Sequence, residues 1–219
     1  MSPSAKFNGL LASATVTIMF FLVIYVTPRL NVLGVDSPLL LTIGALISSA
    51  GLYRILSLGM RWLMERWEWL KGIVLGPHYM HGTWIGYFNG HANDKRFMVE
   101  HFIQDLEGLV ITGRSFTEAK QEHGYWESES TTIDAKKGRL IFTYKFDVLT
   151  QKNSLVGIHS SLFERKSAHH APGAISGFAH DLNDDFRIAV NSIKISNTLL
   201  PWDKALKMAE ARFGGWPPL

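Results

Sequence analysis

The chain has 219 residues, a net charge of +3 and no cysteine. The lack of cysteine excludes cysteine nucleophiles, thiolate metal sites and iron–sulfur clusters. The modest charge, with no long basic run, argues against duplex nucleic acid as a partner. Because the sequence also lacks a phosphate-binding glycine loop, a nucleophile elbow and an HExxH zinc motif, we predict no catalytic residues, no metal and no cofactor: the chain is not an enzyme.

The N-terminal part predicts two transmembrane helices. Gly9–Val26 is a run of 18 residues without a charge, and Pro38–Tyr53 is a second uncharged run. The second run can extend to Leu58 if the Arg54 side chain reaches the membrane interface. About 20 apolar residues cross a bilayer, and the connection Thr27–Ser37 is short. We therefore expect an antiparallel transmembrane hairpin.

Small residues in the second run, Gly44, Ser48 and Gly51, have the spacing that lets helices approach closely. They can pack the hairpin on itself or join protomers. A cleaved signal peptide is the alternative interpretation of the first run. It is disfavoured because only Lys6 and the amino terminus supply positive charge before that run, and because the second run follows closely.

Basic residues predict the orientation of the hairpin. Four of them follow the second run: Arg54, Arg61, Arg66 and Lys71. The connecting loop has only Arg29, offset by Asp36. Both termini and the soluble part are therefore expected to be cytoplasmic, in a multi-pass protein.

A helical linker is predicted over Met60–Leu75, where three tryptophans alternate with charged residues. This amphipathic segment can lie at the membrane interface or pack on the soluble part. Gly76-Pro77 ends it. The predicted domains are thus a transmembrane hairpin over 1–58, a linker helix over 59–77 and a soluble domain over 78–219.

From His81 onward, apolar and polar residues alternate with a period of two, and short turn sequences separate the segments. The predicted strands are His81–Asn89, Lys95–Gln104, Gly108–Thr117, Gly124–Asp134, Arg139–Leu149, Leu155–Arg165, Ala174–Asp181 and Phe186–Ile195. Even spacing and short joints favour a compact, eight-stranded antiparallel β-barrel of up-and-down topology. Pro201–Phe213 predicts a short C-terminal helix that plugs or flanks the barrel. The fold class is therefore a membrane-anchored all-β protein.

Alternation also predicts the lumen. Trp84, Gly86 and Phe88 share one face of the first strand, and the sequence Gly82-Thr83-Trp84 resembles the opening strand of lipocalins, in which the tryptophan caps one end of the barrel. In the fifth strand, one face carries Leu140, Phe142, Tyr144 and Phe146. A lumen of aromatic and aliphatic side chains follows.

A small anionic ligand, such as a nucleotide, needs aromatic rings for its bases and cations for its phosphates. Six residues have this chemistry and are the candidate ligand-binding residues: Tyr87, Arg114, Trp126, Tyr144, His159 and Lys194. There are alternatives to ligand binding: the aromatic residues can simply pack in the core, and the charged residues can lie on a solvated outer face. The carboxylates of Glu127, Glu129 and Asp134, and the pair His169-His170, are interpreted as solvated.

The order of these parts resembles the two-transmembrane, β-strand-rich effectors of bacterial CBASS anti-phage systems. The resemblance lies in the two apolar runs, the opening sequence Gly82-Thr83-Trp84-Ile85-Gly86-Tyr87, the alternating aromatics of the fifth strand and Gly177-Phe178. It covers nearly the whole chain.

The resemblance implies that the barrel binds a cyclic dinucleotide made by a partner nucleotidyltransferase. The ligand would drive homo-oligomerisation, and the helices would then disrupt the bacterial inner membrane and kill the infected cell. The lipid bilayer, the cyclic dinucleotide and further copies of the chain are the expected partners. Two other functions stay open: a membrane-tethered, lipocalin-like protein for an apolar ligand such as a lipid or haem, and a structural subunit of a membrane complex.

Overall fold

The computed structural model describes residues 3–32, 38–90, 94–149, 153–183 and 187–215. The chain divides into two compact units, Met1–Val74 and Leu75–Leu219. Parts of three sequence predictions lie outside the described residues: residues 33–37 of the connecting loop, 91–93 of the first turn of the barrel, and 184–186, which include the start of the last predicted strand.

The first unit consists of three helices: α1 (Pro3–Val32), α2 (Pro38–Arg66) and α3 (Glu68–Leu75). Among the described residues, one helical stretch, Pro3–Val26, is long and apolar enough to cross a membrane by length and composition. Only 11% of its most apolar window is buried within the protein, in contrast to the core helix of a soluble domain. Thr15 and Thr17 donate to the carbonyls of Leu11 and Ser13, so their hydroxyls are satisfied inside the helix.

α2 continues through the boundary predicted near Leu58 and ends at Arg66. The sequence there offers only Gly59 as a breaker, and a single glycine is tolerated inside a helix. α2 contacts α1 through a hydrogen bond from Tyr53 Oη to Asn8 Oδ1 (3.3 Å). The indoles of Trp67 and Trp69, where α2 gives way to α3, stack with their centroids 6.1 Å apart.

The second unit is a closed antiparallel barrel in which each strand pairs with its neighbours in sequence and β1 pairs with β8. The strands are β1 (Gly82–Asn89), β2 (Lys95–Gln104), β3 (Leu109–Thr117), β4 (Glu122–Asp134), β5 (Arg139–Val148), β6 (Asn153–Glu164), β7 (Ala174–Asp181) and β8 (Arg187–Ser196). The predicted eight-stranded barrel is confirmed, and its strand bounds differ by no more than two residues.

One end of the barrel is filled by large side chains. Trp84 is fully buried, stacks on Phe102 with a centroid distance of 5.0 Å, and donates its indole N–H to the carbonyl of Met80 (2.9 Å). Each buried side chain of this size contributes about 1.5–3 kcal/mol of hydrophobic stabilisation. Trp84 therefore closes this end of the lumen, in agreement with the prediction from Gly82-Thr83-Trp84.

The C-terminal helix α4 (Trp202–Phe213) flanks the barrel and does not plug it. Its buried face, Ala205, Ala209 and Phe213, packs on outward-facing side chains of β1 and β2, such as Ile85 and Val99. The ammonium group of Lys95 donates to the carbonyl of Phe213, which ties the end of the helix to β2. The two alanines let the helix axis lie close to the sheet.

An apolar cavity in the barrel lumen

The part of the lumen beyond Trp84 is not filled, and a cavity of about 70 Å³ remains there. Cavities that hold drug-sized ligands are larger, with volumes of about 300–1,000 Å³. The residues that line it are Phe88, Met98, Glu100, Trp126, Phe142, Tyr144, Phe146, His159, Ala179, Asp181, Ile188 and Val190. We call this space the lumen cavity. Its wall is aromatic and aliphatic, with a few polar groups.

The first polar group is the carboxyl of Glu100, whose residue is only 2% exposed. Its Oε2 atom accepts from Ser192 Oγ at 3.1 Å, and the side chain also accepts from the Trp126 indole. Burial raises the pKa of Glu100 to about 7, because the charged form loses its hydration, and these two hydrogen bonds only partly oppose the rise. Near neutral pH this carboxyl therefore exists in both protonated and ionised forms.

A second carboxyl belongs to Asp181, at the end of β7. Tyr144 Oη donates to Asp181 Oδ1 at 2.7 Å, and both residues are buried. The hydrogen bond holds the phenol against the wall of the cavity. Because a buried carboxylate is costly unless it is hydrogen-bonded, Tyr144 has a structural role here in addition to lining the cavity.

The third polar group is the imidazole of His159, which is 4% exposed. Its ring stacks on Phe142 with a centroid distance of 4.6 Å and an interplanar angle of 14°. Burial lowers the pKa of His159 to about 4, so the ring is neutral at physiological pH. Its Nε2 atom has no hydrogen-bond partner among the described residues. A buried polar atom without a partner costs about 1–3 kcal/mol.

Two glycines make room for the aromatic wall. Gly113 lies directly across the β3–β4 ladder from Trp126, and a Cβ atom there would come within 2.1 Å of the indole. Gly157 has the same relation to Tyr144, whose ring would lie 2.3 Å from an added Cβ. The positions of both rings thus depend on a neighbouring residue without a side chain.

The structure brings three of the six predicted residues together in the lumen cavity: Trp126, Tyr144 and His159. The other three lie elsewhere. Tyr87 lies outside the lumen beneath α4, with its ring centroid 5.2 Å from that of Phe213. The ammonium group of Lys194 lies 4.1 Å from the ring centroid of Tyr79 and does not line the cavity.

Arg114 is the third predicted residue outside the lumen cavity. It follows Gly113, the lumen-side neighbour of Trp126, so the period-two alternation turns Arg114 outward. Its guanidinium pairs with Glu122 at 3.3 Å and lies 4.8 Å from the ring centroid of Trp202. Arg114 therefore joins β3 to α4 and does not face a ligand in the lumen.

Glu100 and Asp181 are not among the six residues predicted from the sequence. A signal was present, because Glu100 is in phase with Met98 and Phe102 on β2, and Asp181 is in phase with Ile175 and Ala179 on β7. A charged residue in phase with apolar residues indicates a buried ionisable group, which marks a candidate functional site. The pair His169-His170 is exposed in a loop, where His170 Nδ1 hydrogen-bonds Ser167 Oγ at 2.7 Å.

The electrostatics of the lumen cavity are unusual for an anion-binding site. Its described lining contains two carboxyls and one neutral imidazole, but no lysine or arginine. Phosphate binding in proteins normally uses guanidinium, ammonium or backbone N–H donors. The cavity is therefore suited to an uncharged molecule or to the uncharged part of a larger one.

Cations and an aromatic ring meet in a different place, on the outer face of β5 to β8. Arg139, Phe178, His180 and Arg187 line a groove of about 430 Å³ there, with serine hydroxyls between them. The guanidinium carbon of Arg187 lies 3.7 Å from the ring centroid of Phe178, a close cation–π contact. We call this surface the outer groove. It combines positive charge with an exposed aromatic face.

No protein-family model matches the chain, and comparison with curated proteins and with solved structures finds no match. Functional inference therefore depends on the barrel, its cavity and the apolar helix.

Proposed function

We propose that this protein is a membrane-anchored receptor whose barrel binds a small molecule and whose helices act on the membrane in response. The observation that carries the proposal is the lumen cavity, which contains buried, partly unsatisfied polar groups inside an otherwise apolar wall. Such a combination is the usual form of a small-molecule site. The apolar α1, with its exposed side chains, supplies the membrane anchor.

In this proposal α1 and α2 form a transmembrane hairpin, and the barrel is cytoplasmic. The small residues Gly44, Ser48 and Gly51 of α2 support assembly between protomers, because their surfaces are accessible or have open space around them. Anchoring in a bilayer also raises the effective concentration of protomers, so a small gain in contact on ligand binding is enough to drive association.

The ligand that we propose is a cyclic dinucleotide, and the output is disruption of the bacterial inner membrane during phage infection. The resemblance to the two-transmembrane CBASS effectors motivates this choice. Aromatic side chains of the lumen cavity offer stacking surfaces for a base. The phosphates would need cations that lie outside the lumen. Arg139 and Arg187 in the outer groove are two such cations, and they lie next to an aromatic ring.

The test is to express the full chain in bacteria with and without a panel of cyclic dinucleotides and to follow entry of a membrane-impermeant dye. Dye entry should depend on one member of the panel. Arg187→Ala should weaken this response, whereas Arg212→Ala, which removes an exposed arginine of α4, should not. Permeability that no member of the panel changes would refute the effector function.

A lipocalin-like function is the second candidate, and a specific observation favours it: the described lining of the cavity has carboxyls but no cation. A lipid or another apolar ligand would fill such a lumen. Native mass spectrometry of the full chain in a defined lipid nanodisc tests this. A bound apolar molecule should be present in the wild type and absent from Val190→Phe, which would fill the cavity with a larger side chain. An occupant retained equally by both proteins would contradict lumen binding.

A further inference from the structure

Some buried polar groups of the lumen cavity have hydrogen-bond partners and one does not. The atom without a partner indicates what kind of group a ligand would present to it. Glu100 is hydrogen-bonded to Ser192 and Trp126, and Asp181 is hydrogen-bonded to Tyr144. Nε2 of His159, by contrast, is buried and has no partner among the described residues. An ordered water or a ligand can supply the hydrogen bond that the protein does not.

The environment of His159 defines which group can approach it. The neutral imidazole carries one N–H and one lone pair, and burial against Phe142 disfavours the doubly protonated ring. The nearest charges that the described lining can present are carboxyls, which repel an anion. In the tautomer that carries its proton on Nδ1, Nε2 is an acceptor. A neutral donor group on an apolar ring then satisfies Nε2 without bringing a negative charge beside Glu100 and Asp181.

We propose that Nε2 of His159 is the polar anchor of the lumen cavity, and that it accepts a hydrogen bond from an N–H or O–H group on an uncharged, mainly apolar ring. This inference rests on the proposed receptor function and deepens it. It applies to a free apolar ligand and also to the uncharged part of a larger molecule whose charged groups stay outside the lumen. His159 is thus a specificity-determining residue: it selects ligands that carry a donor.

The aromatic wall is consistent with a flat ring in particular. Trp126, Phe142 and Phe146 present their rings to the cavity, with Trp126 and Phe146 in edge contact at a centroid distance of 5.9 Å. Flat rings make offset or edge contacts with such side chains. The cavity volume is about 70 Å³, so a bicyclic ring enters only if side chains of the wall move aside.

Three bicyclic probes separate the parts of this proposal: indole, which has an N–H donor; 1-methylindole, which lacks it; and indole-2-carboxylate, which is anionic. Each is titrated into the full chain in lipid nanodiscs, and binding is followed by the ¹⁵N resonances of the histidine side chains. A net hydrogen bond changes affinity by about tenfold. We therefore expect indole to bind about tenfold more tightly than 1-methylindole, and indole-2-carboxylate to bind more weakly than indole.

His159→Phe is the decisive variant because it keeps an aromatic ring and removes the acceptor. It should abolish the preference for indole over 1-methylindole, whereas His170→Phe, in the exposed loop, should preserve it. Binding of both probes to the same nanodiscs corrects for their partition into lipid. If His159→Phe does not fold, the wild-type protein still tests the proposal. The ¹⁵N resonance of His159 Nε2 should shift with indole and not with 1-methylindole.

Three results would overturn the proposal: equal binding of indole and 1-methylindole to the wild type, binding of the carboxylate as tight as that of indole, or no shift of the His159 resonance with indole at millimolar concentration. None of them depends on a cyclic dinucleotide or on membrane permeability. Failure of the effector function and failure of this inference are therefore distinguishable.

Discussion

Glu100 and His159 line the same cavity, and burial affects their contributions to stability in opposite pH directions. The pKa of Glu100 rises from 4.5 to about 7 on folding, so the folded protein holds this proton more tightly than the unfolded chain. Its contribution to the free energy of unfolding is fully present below about pH 4.5 and is lost as the pH rises to about 7. The pKa of His159 falls from 6.5 to about 4, so its contribution is lost as the pH falls from about 6.5 to 4.

These opposite slopes predict the effect of Glu100→Gln. The amide keeps the shape and removes the titration, so the free energy of unfolding of the variant should rise relative to wild type between pH 4.5 and 7. The total change is on the order of 3 kcal/mol, from a shift of about 2.5 pKa units. Urea unfolding of the full chain at several pH values, followed by tryptophan fluorescence, measures it.

Glu127→Gln is the matched control, because this glutamate is exposed on β4 and its substitution should reproduce the wild-type pH profile. In Glu100→Gln, the free energy of unfolding should still increase with pH between about pH 4 and 6.5, because His159 continues to titrate. A pH profile that Glu100→Gln leaves unchanged would mean that the Glu100 carboxyl is hydrated in the folded protein.

At the scale of secondary-structure elements, local sequence is sufficient to predict an element where two signals coincide. The strands of the barrel combine period-two alternation with turn residues, and the sequence therefore predicts them well. The end of α2 has neither signal: apolar and charged residues continue in helical order past Leu58, with Gly59 as the only breaker before Arg66. Consequently the helix runs on past Leu58, where the predicted hairpin gives way to the predicted helical linker.

The docking of α4 gives a prediction about one element. Ala209 is fully buried against the barrel, whereas Ala211, two residues later, is exposed. Ala209→Arg should undock the helix, because a guanidinium cannot fit between α4 and the sheet. Loss of the buried Phe213 contact should cost about 1.5–3 kcal/mol. Hydrogen exchange should show faster exchange of the α4 amides.

Ala211→Arg adds the same side chain to the exposed face and should leave exchange in α4 unchanged. The barrel itself should persist in both variants, since it closes through the pairing of β1 with β8, which α4 does not supply. Protection of the α4 amides that survives Ala209→Arg would show that the contacts of Phe213 and Lys95 are sufficient to dock the helix.

At the scale of the whole molecule, closure of the barrel decides which side chains meet in the lumen. The sequence alone does not determine this. Residue chemistry selected Trp126, Tyr144 and His159, which closure does bring together. The same chemistry selected Arg114, which a one-residue phase difference from Gly113 turns outward. Two strands far apart in sequence, β1 and β8, must pair before Glu100 on β2 can meet Ser192 on β8. Such contacts depend on three-dimensional register and not on local pattern.

The membrane topology is the remaining prediction at this scale. Basic residues follow the second apolar run, so both termini and the barrel should be cytoplasmic and the connection between the helices should lie outside. Because the chain has no cysteine, a single introduced cysteine reports its own location. Ser4→Cys and Ala168→Cys, in exposed positions of the two units, should resist a membrane-impermeant maleimide in spheroplasts and react after detergent is added.

Ser37→Cys, in the connecting segment outside the described residues, should react in intact spheroplasts. The three variants together separate the possible arrangements. Labelling of Ala168→Cys without detergent would put the barrel outside the cell and exclude a cytoplasmic ligand. Protection of Ser37→Cys together with Ser4→Cys would mean that α1 does not cross the bilayer, since a crossing helix has its two ends on opposite sides. A cytoplasmic barrel joined to two crossing helices requires protection of Ser4→Cys and Ala168→Cys and reaction of Ser37→Cys, in the same preparation.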